Sequence, residues 1–186
     1  MTETEEAVRR FIKGEEEAFS PIVRCWEKKI YNLAWRMVGN REDAQDIVQE
    51  TFLSVFKAIR GLRDPGSFAT WVYQIALNHC RAKRRAWGSD LSKIDLSSDQ
   101  TGDEGTPFSG IPAESRGDIL ETRDIIHKAL AGLSEDHRSA IVLKEYVGLS
   151  LEELANVMEC PLSTAKSRLY HGLRGVQRNL KRLGIK

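Results

Sequence analysis

A chain of 186 residues, 41% hydrophobic and 30% charged, is ordinary for a soluble globular protein of one or two domains. No run approaches the ~18 apolar residues of a membrane span, and the acidic start MTETEEAVRRFIKGEEEAF lacks the basic-then-apolar order of a secretory signal; a cytoplasmic protein without direct membrane insertion is expected. The net charge of +1 is a sum of segregated blocks, so it says little about partners until the blocks are located.

Glu3 to Lys13 predicts a short helix ended by Gly14. From Glu15 to Val38 the residues Phe19, Ile22, Val23, Trp26, Ile30, Leu33, Ala34 and Met37 keep the helical period, with Pro21 suited to the first turn of a helix starting near Ser20 and Gly39-Asn40 supplying a stop. Arg41 to Ile59 repeats the pattern through Ala44, Ile47, Val48, Thr51, Phe52, Val55 and Ile59. Its outward face carries Glu42, Asp46, Gln49, Glu50, Leu53 and Lys57, which suits either solvent or a basic partner. The turn-rich GLRDPGS separates it from a further helix beginning near Phe68. There Phe68, Trp71, Val72, Ile75 and Ala76 can pack inward, while Tyr73, Gln74, Asn78, Arg81, Lys83, Arg84 and Arg85 are polar or basic. Cations interleaved with aromatics and amides fit single-stranded nucleic acid, because cations track phosphates and rings stack on bases.

Between Gly88 and Gly117 the composition changes to five Gly, six Ser and two Pro, with six acids against two bases. Such a segment assembles no sizeable apolar face and reads as a flexible acidic linker. Beyond it, Asp118 to Leu130 and Glu135 to Tyr146 are helical by period, with Gly132-Leu133-Ser134 ending the first and capping the second. Ser150 and Glu153 form a capping box that opens a short helix over Leu151, Leu154, Ala155 and Met158. Cys160-Pro161 then interrupts. Ser163 can cap a final helix in which Ala165, Leu169, Leu173, Val176 and Leu180 recur on the face expected to be buried. Opposite that face lie Ser167, His171, Arg174 and Arg178, flanked by Lys166, Arg168 and Tyr170. No Asp or Glu occurs from Cys160 to Lys186, a stretch with seven Lys or Arg. Two helices joined by a short turn, the second basic, predict a helix-turn-helix that reads the DNA major groove.

The fold expected is therefore all-α: two small helical domains joined by a flexible linker, the C-terminal one containing the helix-turn-helix. Cys25, Cys80 and Cys160 are odd in number and far apart, without a CxxC pair or a neighbouring histidine cluster, so neither a disulfide framework nor a zinc site is supported and reduced thiols are expected. The four histidines are too dispersed for a nuclease or metal hydrolase, and no catalytic residue, cofactor, metal or small-molecule substrate is expected. A stand-alone helix-turn-helix regulator, whose N-terminal helices only dimerise or sense a signal, remains the alternative.

Three motifs in order around a linker, DAQDIVQETFLSVFKAI, SFATWVYQIALNHCR and GLSEDHRSAIVLKEYVGLSLEELANVMECPLSTAKSRL, resemble the extracytoplasmic-function sigma factors of bacterial RNA polymerase, most nearly the envelope-stress branch. The resemblance covers nearly the whole chain. It implies a promoter-specificity subunit without a catalytic site, with core-binding and minus-ten functions over 1–87, a linker over 88–117 and minus-thirty-five recognition over 118–186. It implies that Asp43, Asp46, Gln49 and Glu50, beside Phe52 and Leu53, dock on core polymerase. It places the loop Asp64 to Phe68, with Ser67, and the helix through Trp71, Tyr73, Gln74 and Asn78 beside the opened minus-ten strand, with Arg81, Lys83, Arg84 and Arg85 on phosphates. Ser167, His171 and Arg174 would face the minus-thirty-five groove, with Lys166, Arg168 and Arg178 on backbone or groove edges. Ser163 and Thr164 at the helix N-terminus would favour a phosphate. Arginine often stands in this family where Lys166 and His171 stand here, and neither can make arginine's bidentate contact to guanine. An anti-sigma factor, often the cytoplasmic domain of a membrane protein, is a further implied partner.

Overall fold

The structure, a computed structural model, describes residues 2–87 and 125–185. The expected linker and the opening turns of the helix expected from Asp118 lie outside the described residues. All regular structure among the described residues is helical.

Helix α1 (Glu3–Ile12) starts at Thr2, whose hydroxyl accepts from the Glu5 N–H at 3.2 Å. A 3-10 turn, Glu16–Ala18, leads into α2 (Phe19–Val38), so Pro21 falls in the first turn, where its missing N–H costs nothing. Gly39, at φ +71°, ends α2, and the Asn40 side chain caps α3 (Arg41–Ala58) by accepting from the Asp43 N–H at 3.0 Å. The Gly39-Asn40 pair is thus both a stop and a start. Two further 3-10 turns, Ile59–Gly61 and Pro65–Ser67, connect to α4 (Phe68–Trp87).

Aromatic packing fills this N-terminal half. Phe11 meets Phe19 and Phe56 at ring-centroid distances of 5.3 and 5.4 Å. Trp26 meets Phe68 and Tyr73 edge-on at 5.5 and 5.3 Å, and its indole N–H donates to the Thr4 hydroxyl. Each such buried ring contributes roughly 1.5–3 kcal/mol by removal from water. Cys80 lies fully inside, where burial pushes its thiol up to about 12 and keeps it protonated.

The C-terminal half begins with a helix over 125–131, α5, followed by α6 (Glu135–Ile141). Ser134 occupies the expected N-cap position but makes no side-chain cap. The helix expected to run to Tyr146 widens instead into a π-helical turn, Val142–Tyr146, closed by the Val147 N–H on the Val142 carbonyl at 3.1 Å. Both bonds of the Ser150–Glu153 capping box are present at the start of α7 (Leu151–Val157). Helix α8 (Leu162–Arg182) follows at once.

The turn between α7 and α8 is a Schellman closure: the Cys160 N–H reaches the Ala155 carbonyl and the Glu159 N–H reaches that of Asn156. Its left-handed residue is Glu159, at φ +50°, where the same closure at the end of α1 uses Gly14 at φ +104°. A side chain in this region costs about 1 kcal/mol relative to glycine. Ser163 lies inside the first turn of α8 and does not cap it, because the helix already starts at Leu162.

Helix α6 approaches α8 so closely that Gly172 leaves no room for a Cβ without a backbone shift. A Cβ on Gly172 would lie 2.9 Å from the His137 carbonyl oxygen, and one on Gly175 would lie 2.4 Å from a Leu133 methyl. The inward stripe of α8 therefore runs through Ala165, Gly172 and Gly175, and Leu173, expected on it, is exposed.

One buried cation organises this half. Arg138 is 1% exposed. Its guanidinium donates to the carbonyls of Leu130 (2.9 Å), Ala131 (2.6 Å) and Leu133 (3.2 Å), satisfying the chain between α5 and α6. Its fourth bond, 3.2 Å, crosses to the Met37 carbonyl at the end of α2. Burial and the nearby Arg84 push Arg138 down to about 9, which leaves it charged at neutral pH.

Arg84 donates to the same Met37 carbonyl at 3.2 Å. Around it, Trp35 packs edge-on against His127, Arg36 covers the Tyr146 ring at 4.3 Å, and α4 packs on α7. The two halves share one continuous apolar core.

Candidate protein and nucleic-acid interfaces

Three helix faces carry the residues singled out by the sequence. The first is the outer side of α3. Asp46, Gln49, Glu50 and Leu53 are exposed along it, Leu53 at 60%. Phe52 is not part of this surface: it turns inward against Phe19, with 8% exposure. The apolar surface is completed instead by Phe56, 44% exposed, which sequence reasoning missed although it lies three residues beyond Leu53 on the same stripe. Asp43 is half-buried and bound to Lys83 of α4 at 2.7 Å, and Lys83 also reaches Asp46 at 3.1 Å. The hydrogen bond to Asp43 is the main reason that the Lys83 ammonium is held above its ordinary range.

Glu50 contacts Nδ1 of His79 at 3.2 Å, and Nε2 of His79 lies 3.0 Å from the Ser54 hydroxyl. The order resembles a nucleophile, base and orienting acid. Ser54, however, lies within α3, where the backbone N–H groups are consumed by the helix ladder and cannot form an oxyanion hole. The three side chains act as a polar clamp between α3 and α4.

The second face belongs to α4 and the loop before it. Asp64 orders the loop: its carboxylate accepts from the Gly66 N–H at 2.9 Å, and its carbonyl accepts from the Ser67 hydroxyl at 2.7 Å. Two residues expected to meet DNA are in the core. Phe68 is sealed between Trp26 and Trp71, and Tyr73 is packed on Trp26, where burial raises its hydroxyl to about 12. Both lie on the inward side of α4, so neither ring can stack on a base. Trp71 and Gln74 are half-buried; Asn78 and Arg85 are exposed. Lys83 and Arg84 are held by the protein contacts already given. Arg81 is held too, its guanidinium lying 3.3 Å from Glu135 and 3.2 Å from Asp136 on α6.

The third face is the outer side of α8. Ser163, Lys166, Ser167, His171, Arg174 and Arg178 are exposed, and Thr164 is half-buried in the first turn. Arg174 lies over the exposed ring of Tyr170 at 5.5 Å. Arg168 differs from its neighbours, because it turns back to Asp136 at 2.7 Å. Asp136 therefore touches one arginine from the second face and one from the third.

Among the described residues no group of three or more His, Cys, Asp or Glu could hold a metal, and no helix is long and apolar enough to cross a membrane.

The arrangement can be compared with known proteins. Residues 22–88 match Sigma-70 region 2 and residues 123–174 match Sigma-70, region 4. The chain is 31% identical to the RNA polymerase sigma-H factor of Pseudomonas aeruginosa, covering 96% of this chain and 94% of that protein. It is 32% identical to the ECF RNA polymerase sigma-E factor of Escherichia coli strain K12, covering 95% and 93%. In fold it is similar to CnrH solved in complex with the cytosolic domain of CnrY, at a TM-score of 0.71, 21% identity and coverage of 97% and 99%. It is also similar to the sigma factor RpoE of Bartonella quintana solved with the anti-sigma factor NepR, at 0.65, 22% and coverage of 88% and 96%. The chain belongs to the extracytoplasmic-function sigma factors, the RNA polymerase subunits that direct transcription initiation at chosen promoters. The stand-alone regulator is not favoured.

Proposed function

We propose that residues 1–87 bind core polymerase and open the minus-ten element, that 88–117 link the halves, and that 118–186 read the minus-thirty-five duplex. The observation that carries this division is the outer face of α8, a carboxylate-free stripe of Ser167, His171, Arg174 and Arg178 on the second helix of a helix-turn-helix. Polar groups at its centre suit base edges and cations at its margins suit phosphates. On α3, Asp46, Gln49, Glu50, Leu53 and Phe56 offer an apolar patch rimmed by acid, suited to a basic partner surface. At α4, Trp71, Gln74 and Asn78 would meet the opened strand. Unstacking DNA costs a few kcal/mol per step, offset by contacts that only the opened strand can make. The chain acts by binding, without catalysis of its own, in the cytoplasm. The two structural relatives, each solved with a partner that binds it, support an anti-sigma factor as a further ligand, with a membrane protein's cytoplasmic domain as one form.

Transcription by purified core polymerase with this chain, followed by sequencing of the transcript starts, tests the reading: starts should cluster below a shared pair of promoter elements. No promoter-specific product with active core would refute it. Asp46→Lys should abolish this transcription through lost core binding while leaving the helical content intact; unchanged core affinity would remove α3 from the docking face. Replacing Ser167 or His171 should alter promoter choice by about 1–3 kcal/mol per lost base contact, whereas replacing Arg178 should weaken DNA binding uniformly, which a promoter-selection assay separates.

A further inference from the structure

A small half-enclosed pocket lies at the seam between the two halves, where the C-terminus of α2 meets α4, α5 and α6. Arg36 and Gly39 line one side, Arg84 another, and His127, Ala131 and Arg138 close it. It has room for about one water-sized occupant. Three guanidinium groups therefore border a single small space.

Two of them share one acceptor: Nη1 of Arg84 and Nη1 of Arg138 each donate to the Met37 carbonyl at 3.2 Å. A neutral carbonyl satisfies donors without cancelling charge, so the two cations repel each other, and Arg138 is 1% exposed. Among the described residues no carboxylate forms an ion pair with either. The acid whose charge bears on both is Glu135, and it is bound to Arg81 at 3.3 Å. Burying a charge is costly unless it is paired. Arg84 commits one of its five N–H groups to Met37, which leaves donors for a further acceptor.

We propose that this pocket binds one small inorganic monoanion, of the size of chloride, held by Arg84 and Arg138 with Arg36 on the facing wall. The anion supplies the countercharge that the carbonyls cannot, through charge-assisted hydrogen bonds from guanidinium N–H groups. Its two main ligands come from different halves of the chain, so binding stabilises the joined structure by mass action.

Denaturant unfolding of the full chain in sodium chloride and in sodium gluconate, whose anion is too large for the pocket, tests this at equal ionic strength. Chloride at ten times its Kd should raise the folding equilibrium constant about elevenfold over gluconate. Equal stability of the wild type in the two salts overturns the proposal, and that comparison needs no variant to fold. Arg84→Gln removes one ligand and should lose most of the chloride gain, whereas Arg85→Gln, the same charge removed from an exposed neighbour, should keep it. A gain that survives in Arg84→Gln, or that disappears in both variants, overturns the placement. Broadening of the chloride NMR signal by folded protein reads binding directly: it should be marked with wild type and Arg85→Gln and weak with Arg84→Gln, and equal broadening in all three overturns the site.

Discussion

The two halves of the chain are held together by different means. The N-terminal half has helices of ten to twenty residues around interlocked aromatic rings. The C-terminal half has shorter helices ahead of α8, a glycine-mediated crossing, and a buried arginine that satisfies loop carbonyls. Apolar packing spreads its dependence over many contacts, whereas a polar centre concentrates it in one side chain.

The sharpest way to break this contrast is to strike each centre separately. Phe68→Ala removes a fully buried ring between Trp26 and Trp71 and should cost about 3–5 kcal/mol, read by denaturant unfolding, as a cavity does in any close-packed core. Arg138→Met leaves the Ala131 and Leu133 carbonyls without their donor, while Met37 keeps Arg84 and Leu130 keeps the Leu133 N–H, and should cost about 3 kcal/mol, at roughly 1–3 for each acceptor left buried and dry. Hydrogen exchange should show its loss concentrated in α5, α6 and α8, while Phe68→Ala spares them; an even spread in both variants would erase the distinction. The smallest effect belongs to the capping box. Ser150→Ala should cost about 1 kcal/mol. The Ser150 backbone N–H and hydroxyl hold the Glu153 carboxyl below its ordinary value. A depressed carboxylate contributes stability that is complete above its unfolded value of about 4.3 and is lost as pH falls through the lower folded one. An acid titration of the wild type should show this loss, and the Ser150→Ala variant should show less of it.

Periodicity made most of the helical architecture legible, because apolar spacing, caps and breakers are local signals. The misplacements fall where a stripe edge or a long-range contact decides. Spacing sets Phe52 and Phe68 inward, as found, and only the resemblance moves them to an interface; Tyr73 reads as outward, and the partner that buries it, Trp26, comes from α2. Leu173 outranks Gly172 in hydropathy, yet the close crossing on α6 needs the residue without a side chain. Arg138 sits in the polar run EDHRSA and reads as surface; nothing local announces that the carbonyls of α5 and its following turn, and of Met37, converge on it. Nor can spacing reveal that Arg81 and Asp136, 55 residues apart, meet.

The carbonyl of Met37 is shared by the two halves. It accepts from Arg84 within the N-terminal half and from Arg138 across the seam. When the halves part, Arg84 can continue to cap the last turn of α2, so separation removes a docking contact without fraying the helix that bears it. A rigid-body parting of the halves would therefore leave α2 intact while exposing the apolar core they share.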